Sequence, residues 1–217
     1  PNSYDVSLNI VSPEGCKDST VSTVMVYPAL QVGFDCDTVG CSPFDVAFYN
    51  TSVGADLFIW SFGDASGKWM SRDAYHRFEN NTKIPQQFTV QLIGQSKYGF
   101  IDTLIKTITV NPTPYALFDI TPEGDSPMEA LVADKSEDAV SVQWNMDDGN
   151  IISNPGLSFT HTYFNNSGAP ISRNVVQLVQ NTYGCYDSMS QTVNVFPIIK
   201  ADFKHDSIGC EPLTVAF

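Results

Sequence analysis

The sequence predicts an all-β protein built from tandem modules, each of them a two-sheet sandwich around a tryptophan. The first observation is a repeat, since Gly15, Gly99 and Gly184 follow one another at steps of 84 and 85 residues. Trp60 and Trp144 also lie 84 residues apart. The second observation is that short apolar segments alternate with polar residues at a period of two and are divided by turn residues, a pattern that predicts strands.

Two kinds of strand recur in the modules. Residues 140–146 place Trp144 with Val140, Val142 and Met146 on one face of a strand, and residues 58–62 place Trp60 in the same way. Each repeat ends in a predicted hairpin. Its first strand contains a Val-x-Leu segment, at residues 6–8, 90–92 and 176–178, with the same alternation of apolar and polar residues in all three copies. Its second strand follows at residues 23–26, 107–110 and 192–195. About seven short strands in each module favour a β-sandwich.

The period divides the chain into four parts. Residues 1–28 match the C-terminal part of a module, residues 29–112 and 113–197 form two complete modules, and residues 198–217 match the N-terminal part of another. We therefore expect the chain to be a segment of a longer polypeptide. Proline at residues 28, 112, 114 and 197 stiffens the predicted junctions, which favours a linear and semi-rigid array.

The charge balance excludes some classes of partner. The chain has 11 basic and 24 acidic residues, for a net charge of −13. Like-charge repulsion therefore disfavours nucleic acid and anionic membrane surfaces. No apolar run approaches the roughly 20 residues of a membrane-spanning helix, so we expect no membrane insertion in this segment.

Two motifs carry a family resemblance. Residues 60–64 read Trp-Ser-Phe-Gly-Asp and residues 144–149 read Trp-Asn-Met-Asp-Asp-Gly, and each is followed by a histidine two places before an aromatic residue. They resemble the signature of PKD (polycystic kidney disease) domains, although Ala65 replaces a glycine and Met146-Asp147 replaces Phe-Gly. The resemblance implies immunoglobulin-like β-sandwiches of extracellular proteins, with a core motif of Trp60, Asp64, His76, Trp144, Asp148 and His161.

A narrower resemblance comes from the cysteine turns. Residues 40–43 and 209–212 read Gly-Cys-x-Pro, and residues 15–18 and 184–187 read Gly-Cys-x-Asp. These turns look like those of PKD arrays in very large cell-surface proteins of Bacteroidetes-type bacteria, including gliding-motility adhesins. The resemblance implies an extracellular or cell-surface location.

In a sandwich of the PKD connectivity, Cys41 and Cys185 would lie at facing poles of successive modules, so a Cys41–Cys185 disulfide is the favoured pairing. Three alternatives stay open: Cys16–Cys41 together with Cys185–Cys210, a local Cys36–Cys41 bridge, and free thiols. Phe100 and Asp125 occupy the equivalent turn positions without sulfur. We therefore expect the neighbouring junctions to lack a disulfide.

The repeated polar residues are expected to serve the fold. His76 and His161 share one repeat position, and Asp64 and Asp148 share another, which favours a structural role over a catalytic pair. Residues 147–150 read Asp-Asp-Gly-Asn, which favours a tight turn over a calcium loop because spaced carboxylates are missing. No catalytic, metal-binding or cofactor motif is found, so we predict a non-enzyme without cofactor.

A modification motif also recurs. Asp followed by Ser or Thr and then a small or aliphatic residue matches the O-glycosylation pattern of exported proteins in that bacterial group, and it predicts acceptors at Ser19, Thr38, Thr103, Ser188 and Ser207. Ordinary strand and turn chemistry is the alternative explanation.

The favoured function is a structural stalk or filament segment of a large secreted or cell-surface adhesin, in adhesion or gliding motility. The alternative is a set of carbohydrate- or protein-binding accessory modules of a secreted hydrolase, for which the unrepeated Trp69 is the candidate contact. Expected partners are adjacent modules of the same chain, other copies in lateral or end-to-end contact, and surface glycans or proteins.

Overall fold

The computed structural model describes residues 1–202 and Glu211. All the elements of regular secondary structure in that part of the chain are β-strands. The chain divides into two compact units, Pro1–Pro112 and Thr113–Phe217. The proposed partial module at residues 198–217 lies mostly outside the described residues. The prediction of an all-β protein is confirmed.

The first unit contains a separate hairpin and a sandwich. The hairpin is formed by β1 (Asn2–Val11) and β2 (Lys17–Val26), which pair antiparallel. The first sandwich consists of β3 (Phe34–Asp35), β4 (Val39–Cys41), β5 (Phe44–Asn50), β6 (Leu57–Ser61), β7 (Lys68–Trp69), β8 (Ala74–Phe78), β9 (Gln86–Gln95) and β10 (Ile101–Asn111). Its sheets have the orders β4-β10-β9-β6-β7 and β3-β5-β8.

The second unit repeats this topology strand for strand. The second sandwich consists of β11 (Phe118–Ile120), β12 (Glu123–Asp125), β13 (Met128–Asp134), β14 (Ser141–Asn145), β15 (Ile151–Ser153), β16 (Ser158–Tyr163), β17 (Ile171–Gln180) and β18 (Tyr186–Phe196). Its sheets have the orders β12-β18-β17-β14-β15 and β11-β13-β16. In both sandwiches the first segment of chain switches sheets, because β4 and β12 pair parallel with the last strand while β3 and β11 join the other sheet.

Each core is built around its tryptophan. Trp60 is fully buried, and its ring centroid lies 5.1 Å from that of Phe34 and 5.6 Å from that of Phe48. Trp144 is also fully buried, with the Phe118 ring 4.9 Å away at 90°. The two tryptophans therefore occupy matching surroundings, as the repeat predicts.

The hairpin of β1 and β2 exposes an apolar face. Val6 and Leu8 are 57% and 61% exposed, whereas Val90 and Leu92, at the same repeat positions in the first sandwich, are fully buried. The alternation of apolar and polar residues along β1 matches that of a strand with one buried face. The assignment of residues 1–28 to the closing part of a module stays a prediction.

The predicted phase of the third hairpin is wrong. The Val-x-Leu match placed Val176 and Leu178 inward, but Gln177 is fully buried and Leu178 is 38% exposed. Gln177 pairs with Trp144 as Leu92 pairs with Trp60, so the two hairpins are related by a step of 85 residues, not 86. Pairing with the buried tryptophan sets the register, and it overrides the local sequence match.

Two further differences concern the same sandwich. Val140 is exposed because β14 begins one residue later, at Ser141.

Gln177 donates from Nε2 to Asp134 Oδ1 at 2.8 Å, but its Oε1 has no hydrogen-bond partner. Trp144 Nε1 is likewise unpartnered, whereas Trp60 Nε1 donates to the carbonyl of Ser71 at 3.1 Å. With Arg173 Nε on β17, the second sandwich therefore has three buried side-chain polar atoms without a hydrogen-bond partner.

We expect Gln177→Leu to stabilise the second unit by about 1–2 kcal/mol, because it removes a buried carbonyl without a partner and adds apolar contact beside Trp144. Urea unfolding followed by Trp144 fluorescence, in a background with Trp60→Phe and Trp69→Phe, measures the change. Leu92→Gln is the matched control and should destabilise the first unit, which is followed by Trp60 fluorescence in a background with Trp144→Phe and Trp69→Phe. A loss of stability in Gln177→Leu would mean that its hydrogen bond to Asp134 is worth more than the unpaired carbonyl costs.

Candidate functional site

A histidine and an aspartate pair in each sandwich. In the first, His76 on β8 reaches Asp64 in the turn after β6, with Nε2 and Oδ2 2.6 Å apart. The ring of Phe62 stacks on His76 at 4.1 Å with an angle of 4° between the planes. The pair therefore joins the turn of one sheet to a strand of the other, with an aromatic ring beneath it.

The second sandwich repeats the pair without that stacked ring. His161 Nε2 lies 2.7 Å from Asp148 Oδ2, and Tyr163 meets the imidazole edge-on at 4.6 Å. Met146 stands where the first sandwich has Phe62 and is fully buried. The geometry of the His–Asp pair is thus independent of the residue below it.

The motif's two departures from the PKD signature fall where the backbone needs positive φ. Ala65 has φ of 65°, at the position where Gly149 has 95°. Asp147 has φ of 60°, at the position where Gly63 has 79°. A side chain at Gly63 would collide with the backbone of Thr89, whereas Asp147 Oδ2 accepts a hydrogen bond from the matching backbone amide of Asn174 at 2.9 Å. The replacement at residue 147 is therefore supported by a contact of its own.

The electrostatics of the pairs favour charged aspartates. Burial raises the pKa of Asp64, but hydrogen bonds from Ser66 and His76 outweigh burial, so this pKa lies below its ordinary value. The pKa of Asp148 is lowered in the same way, by hydrogen bonds from His161 and Asn150 against the effect of burial. The carboxylates accept several hydrogen bonds at once, an arrangement that fixes a turn.

Two buried asparagines have a structural role that the sequence reasoning missed. Asn165 donates from Nδ2 to the carbonyls of Ala169 and Val195, both at 2.8 Å, and its Oδ1 accepts from Ser167. Asn80 does the same with the carbonyls of Ile84 and Val110. Each asparagine is the first residue of an Asn-x-Ser/Thr sequence, and this pattern does not by itself predict the turn that the side chain stabilises. They tie the loop before the last hairpin to its final strand.

The predicted glycan acceptors are exposed where the structure describes them. Ser19, Thr38, Thr103 and Ser188 are all exposed, and Ser207 lies outside the described residues. The preceding aspartates have a second use, because Asp102 Oδ2 accepts from the backbone amide of Val32 and Asp187 Oδ2 from that of Ala116, each at 2.8 Å. Strand and turn chemistry therefore accounts for these two aspartates.

The disulfide states of four cysteines limit the predicted pairings. Cys41 and Cys185 are each disulfide-bonded, and Cys16 and Cys36 are free thiols. The alternatives that join Cys16 or Cys36 to Cys41 are therefore wrong, and the Cys41–Cys185 pairing stays a prediction. Cys210 itself lies outside the described residues.

Where Phe100 replaces a cysteine, aromatic rings meet instead. The ring of Tyr27, just after β2, lies 5.3 Å from that of Phe100 and 4.8 Å from that of Tyr98. Phe100 occupies the repeat position of Cys185. Within the first unit, this cluster connects the β1–β2 hairpin to the first sandwich.

Trp69 lies on the two-residue edge strand β7 and is 58% exposed. Its neighbour Met70 is exposed as well. Residues 1–202 and Glu211 include no group of three His, Cys, Asp or Glu side chains that could hold a metal ion. The same part of the chain contains no helix with the length and apolarity needed to cross a bilayer.

No protein-family model and no curated protein matches the chain. Among solved structures, the PKD1 domain of Vibrio anguillarum Epp is 20% identical and covers 40% of this chain and 96% of that chain, with a TM-score of 0.32. Fibronectin(III)-like modules of Clostridium thermocellum CbhA are 10% identical, and the match covers 81% of this chain and 100% of that chain, with a TM-score of 0.37. Cadherin domains 1–4 of protocadherin Gamma B7 are 13% identical, and the match covers 90% of this chain and 65% of that chain, with a TM-score of 0.32. Each complete module of this chain is a β-sandwich of a five-stranded and a three-stranded sheet.

We expect replacement of both paired aspartates, Asp64→Asn and Asp148→Asn, to lower stability at pH 7 by an amount that shrinks in acid. A carboxylate whose pKa is lower in the folded protein contributes stability above its unfolded pKa of about 3.9. That contribution is lost as the pH falls through the folded value. Urea unfolding between pH 7 and pH 2.5 measures the difference, with the exposed Glu129→Gln as control. Parallel stability curves for the wild type and the double variant would contradict the expectation.

Asn165→Ala should destabilise the second unit by about 2–3 kcal/mol, because it leaves the buried carbonyl of Val195 and that of Ala169 without their donor. Thermal unfolding monitored by circular dichroism measures the loss. Its neighbour Asn166 is exposed, so Asn166→Ala is the matched control and should change stability by less than about 0.5 kcal/mol. Equal effects of the two changes would assign the loss to the loop as a whole.

Proposed function

We propose that this chain is a non-enzymatic spacer segment, a stalk or filament element of a large secreted or cell-surface adhesin acting in adhesion or gliding motility. The observation that carries the proposal is that Cys41 and Cys185 are each disulfide-bonded, and the proposal includes a disulfide between the two. In sequence, this bond encloses every strand from β5 to β17, which is most of both sandwiches.

Such a bond changes how the chain carries tension. A pull on the two ends passes along the backbone to Cys41, crosses the disulfide and leaves through Cys185. The enclosed strands lie outside that path, so tension does not unfold them while the bond is intact. A segment that keeps its length under load suits a stalk whose work is to hold a distant binding tip.

The other repeated residues support a structural role. The His–Asp pairs and the buried asparagines hold turns in both sandwiches, and each makes contacts that the fold uses. A disulfide persists in oxidising surroundings, which supports a location outside the cell. The net charge of −13 keeps a long exported array soluble.

Sugars on the proposed acceptors would lie on the surface of the array. Thr103 on β10 and Ser188 on β18 occupy the same repeat position, and both side chains are exposed. We include O-glycosylation at Ser19, Thr38, Thr103, Ser188 and Ser207 in the proposal, as protection of the stalk against proteases. The accessory-module alternative depends on the single exposed Trp69, whereas the features above recur in both sandwiches.

Pulling the oxidised chain by its ends should give no extension from the enclosed strands β5 to β17. Reduction should release the segment from Cys41 to Cys185, which adds roughly 500 Å of contour length at about 3.5 Å per residue. Single-molecule force spectroscopy measures the added length. Cys41→Ser should behave like the reduced chain, and Cys36→Ser, which removes a free thiol, should behave like the oxidised one. Release of the enclosed strands in the oxidised chain would refute the proposed role of the bond.

A further inference from the structure

The β1–β2 hairpin has an apolar side that is open to solvent. We call this side the hairpin face; its residues are Tyr4, Val6, Leu8 and Ile10 on β1 and Val24 and Val26 on β2. Each of these residues is at least 48% exposed. The other side of β1 is polar and consists of Ser3, Asp5, Ser7 and Asn9. Such alternation is typical of a strand that packs one side against a core.

Both sandwiches show what covers the equivalent face. In the first sandwich, four of the positions of the hairpin face are fully buried, as Val90, Leu92, Ile108 and Val110. These residues share a core with Phe34 on β3 and with Val46 and Phe48 on β5. The second sandwich builds its core in the same way from β11, β13, β17 and β18. In each sandwich, the opening strands therefore cover the closing hairpin.

The hairpin also has an open backbone edge. In the first sandwich β4 pairs parallel with β10, and in the second β12 pairs parallel with β18. β2 stands at the repeat position of β10 and β18, but β1 is the one described strand that pairs with it. The amides and carbonyls along the outer edge of β2 can therefore pair with a further strand.

The chain carries a third copy of the opening-strand sequence. Residues 209–217 read Gly-Cys-Glu-Pro-Leu-Thr-Val-Ala-Phe, and residues 40–48 read Gly-Cys-Ser-Pro-Phe-Asp-Val-Ala-Phe. Phe203 likewise occupies the repeat position of Phe34. We call residues 203–217 the C-terminal segment; apart from Glu211, they lie outside the described residues. The C-terminal segment thus has the apolar sequence that covers a closing hairpin in both sandwiches.

We infer that the C-terminal segment of one copy of this chain binds the β1–β2 hairpin of a second copy. Residues 208–210 add to the edge of β2 as a parallel strand, in the register of β4 on β10, which places Gly209 beside Val26. Leu213, Val215 and Phe217 pack on the hairpin face. Strand addition of this kind combines backbone hydrogen bonds with side-chain packing. The inference uses the repeat and the exposure of the hairpin, so it does not depend on the spacer function.

The two binding surfaces predict an open-ended assembly. Each copy carries one hairpin face and one C-terminal segment, so a head-to-tail contact leaves one of each surface at the ends of the assembly. The C-terminal segment contains no tryptophan, and the core that it completes therefore lacks the indole ring that both sandwiches bury. We expect this contact to be weaker than the packing within a sandwich and to form at high protein concentration.

Sedimentation equilibrium on the full untagged chain, in a Cys16→Ser background that removes an exposed thiol, tests the inference. We expect the weight-average mass to rise with concentration past that of a dimer. Leu8→Asp on the hairpin face and Val215→Asp in the C-terminal segment should each raise the dissociation constant at least about tenfold. Each change places a charge in an apolar contact.

Two matched controls carry the same change at neighbouring positions. Ser7→Asp lies on the polar side of β1, and Thr214→Asp lies where the first module has Asp45. Both variants should leave the dissociation constant unchanged. Circular dichroism of every variant confirms that the sandwiches have formed.

A mixture of the two interface variants is the decisive measurement. Leu8→Asp retains an intact C-terminal segment, and Val215→Asp retains an intact hairpin face. An equimolar mixture should therefore form a dimer and nothing larger, although each variant alone is monomeric at the same concentration. A mixture that stays monomeric would overturn the inference.

Two results with the separate chains would also overturn it. Loss of association in Leu8→Asp, with Val215→Asp unchanged, would assign the contact to hairpins that pair with each other. A parent chain that stays monomeric at every concentration would show that the C-terminal segment does not bind the hairpin of a second copy.

Discussion

Each sandwich depends on one indole ring enclosed between two sheets. Burying a tryptophan removes roughly 200 Å² of surface from water, which is worth about 5 kcal/mol before the cost of ordering the chain. In the first sandwich Phe34 and Phe48 complete the enclosure, and they come from the strands of the opposite sheet. The strand beside the tryptophan strand in the same sheet must then adopt the register that closes the core. This requirement explains why Gln177 is buried against Trp144 although its neighbours Val176 and Leu178 are more apolar.

The polar residues of the motif close the sandwich around that core. The His–Asp pairs hold the turn after the tryptophan strand to the opposite sheet, and Asn80 and Asn165 hold the loop before the last hairpin to the final strand. Asp102 and Asp187 hold the beginning of the sandwich to the same strand. Every one of these contacts satisfies backbone or side-chain groups near the rim of the core. The repeated polar residues therefore have the same structural role in both sandwiches, which is to hold loops and turns to the strands around the core.

Much of this architecture could be predicted from the sequence, because the repeat placed equivalent residues side by side. The tryptophan strands and the closing hairpins follow from spacing and resemblance. The phase of residues 176–178 could not be predicted, since a local Val-x-Leu match is indistinguishable from the true register until the partner strand is known. Asn165 was missed for a different reason: the buried carbonyl of Val195 that it satisfies is distant in sequence. Short-range patterns thus predicted strands better than they predicted the contacts between strands.

The two sandwiches agree inside and differ outside, and this contrast indicates where their functions can diverge. Phe34 and Phe118 fill the same core position, as do Trp60 and Trp144, because any change there would open a cavity. On the outer surface of the larger sheet, Ile59 and Ile105 are replaced by Gln143 and Ser190 at no cost to packing. Both outer surfaces carry charge on an edge strand, with Lys68 on β7 in the first sandwich and Glu123 and Asp125 on β12 in the second, whereas the apolar centre belongs to the first alone. Neither the core nor the turns depend on the outer surface of the larger sheet. Its residues are therefore constrained by the molecules that this surface contacts.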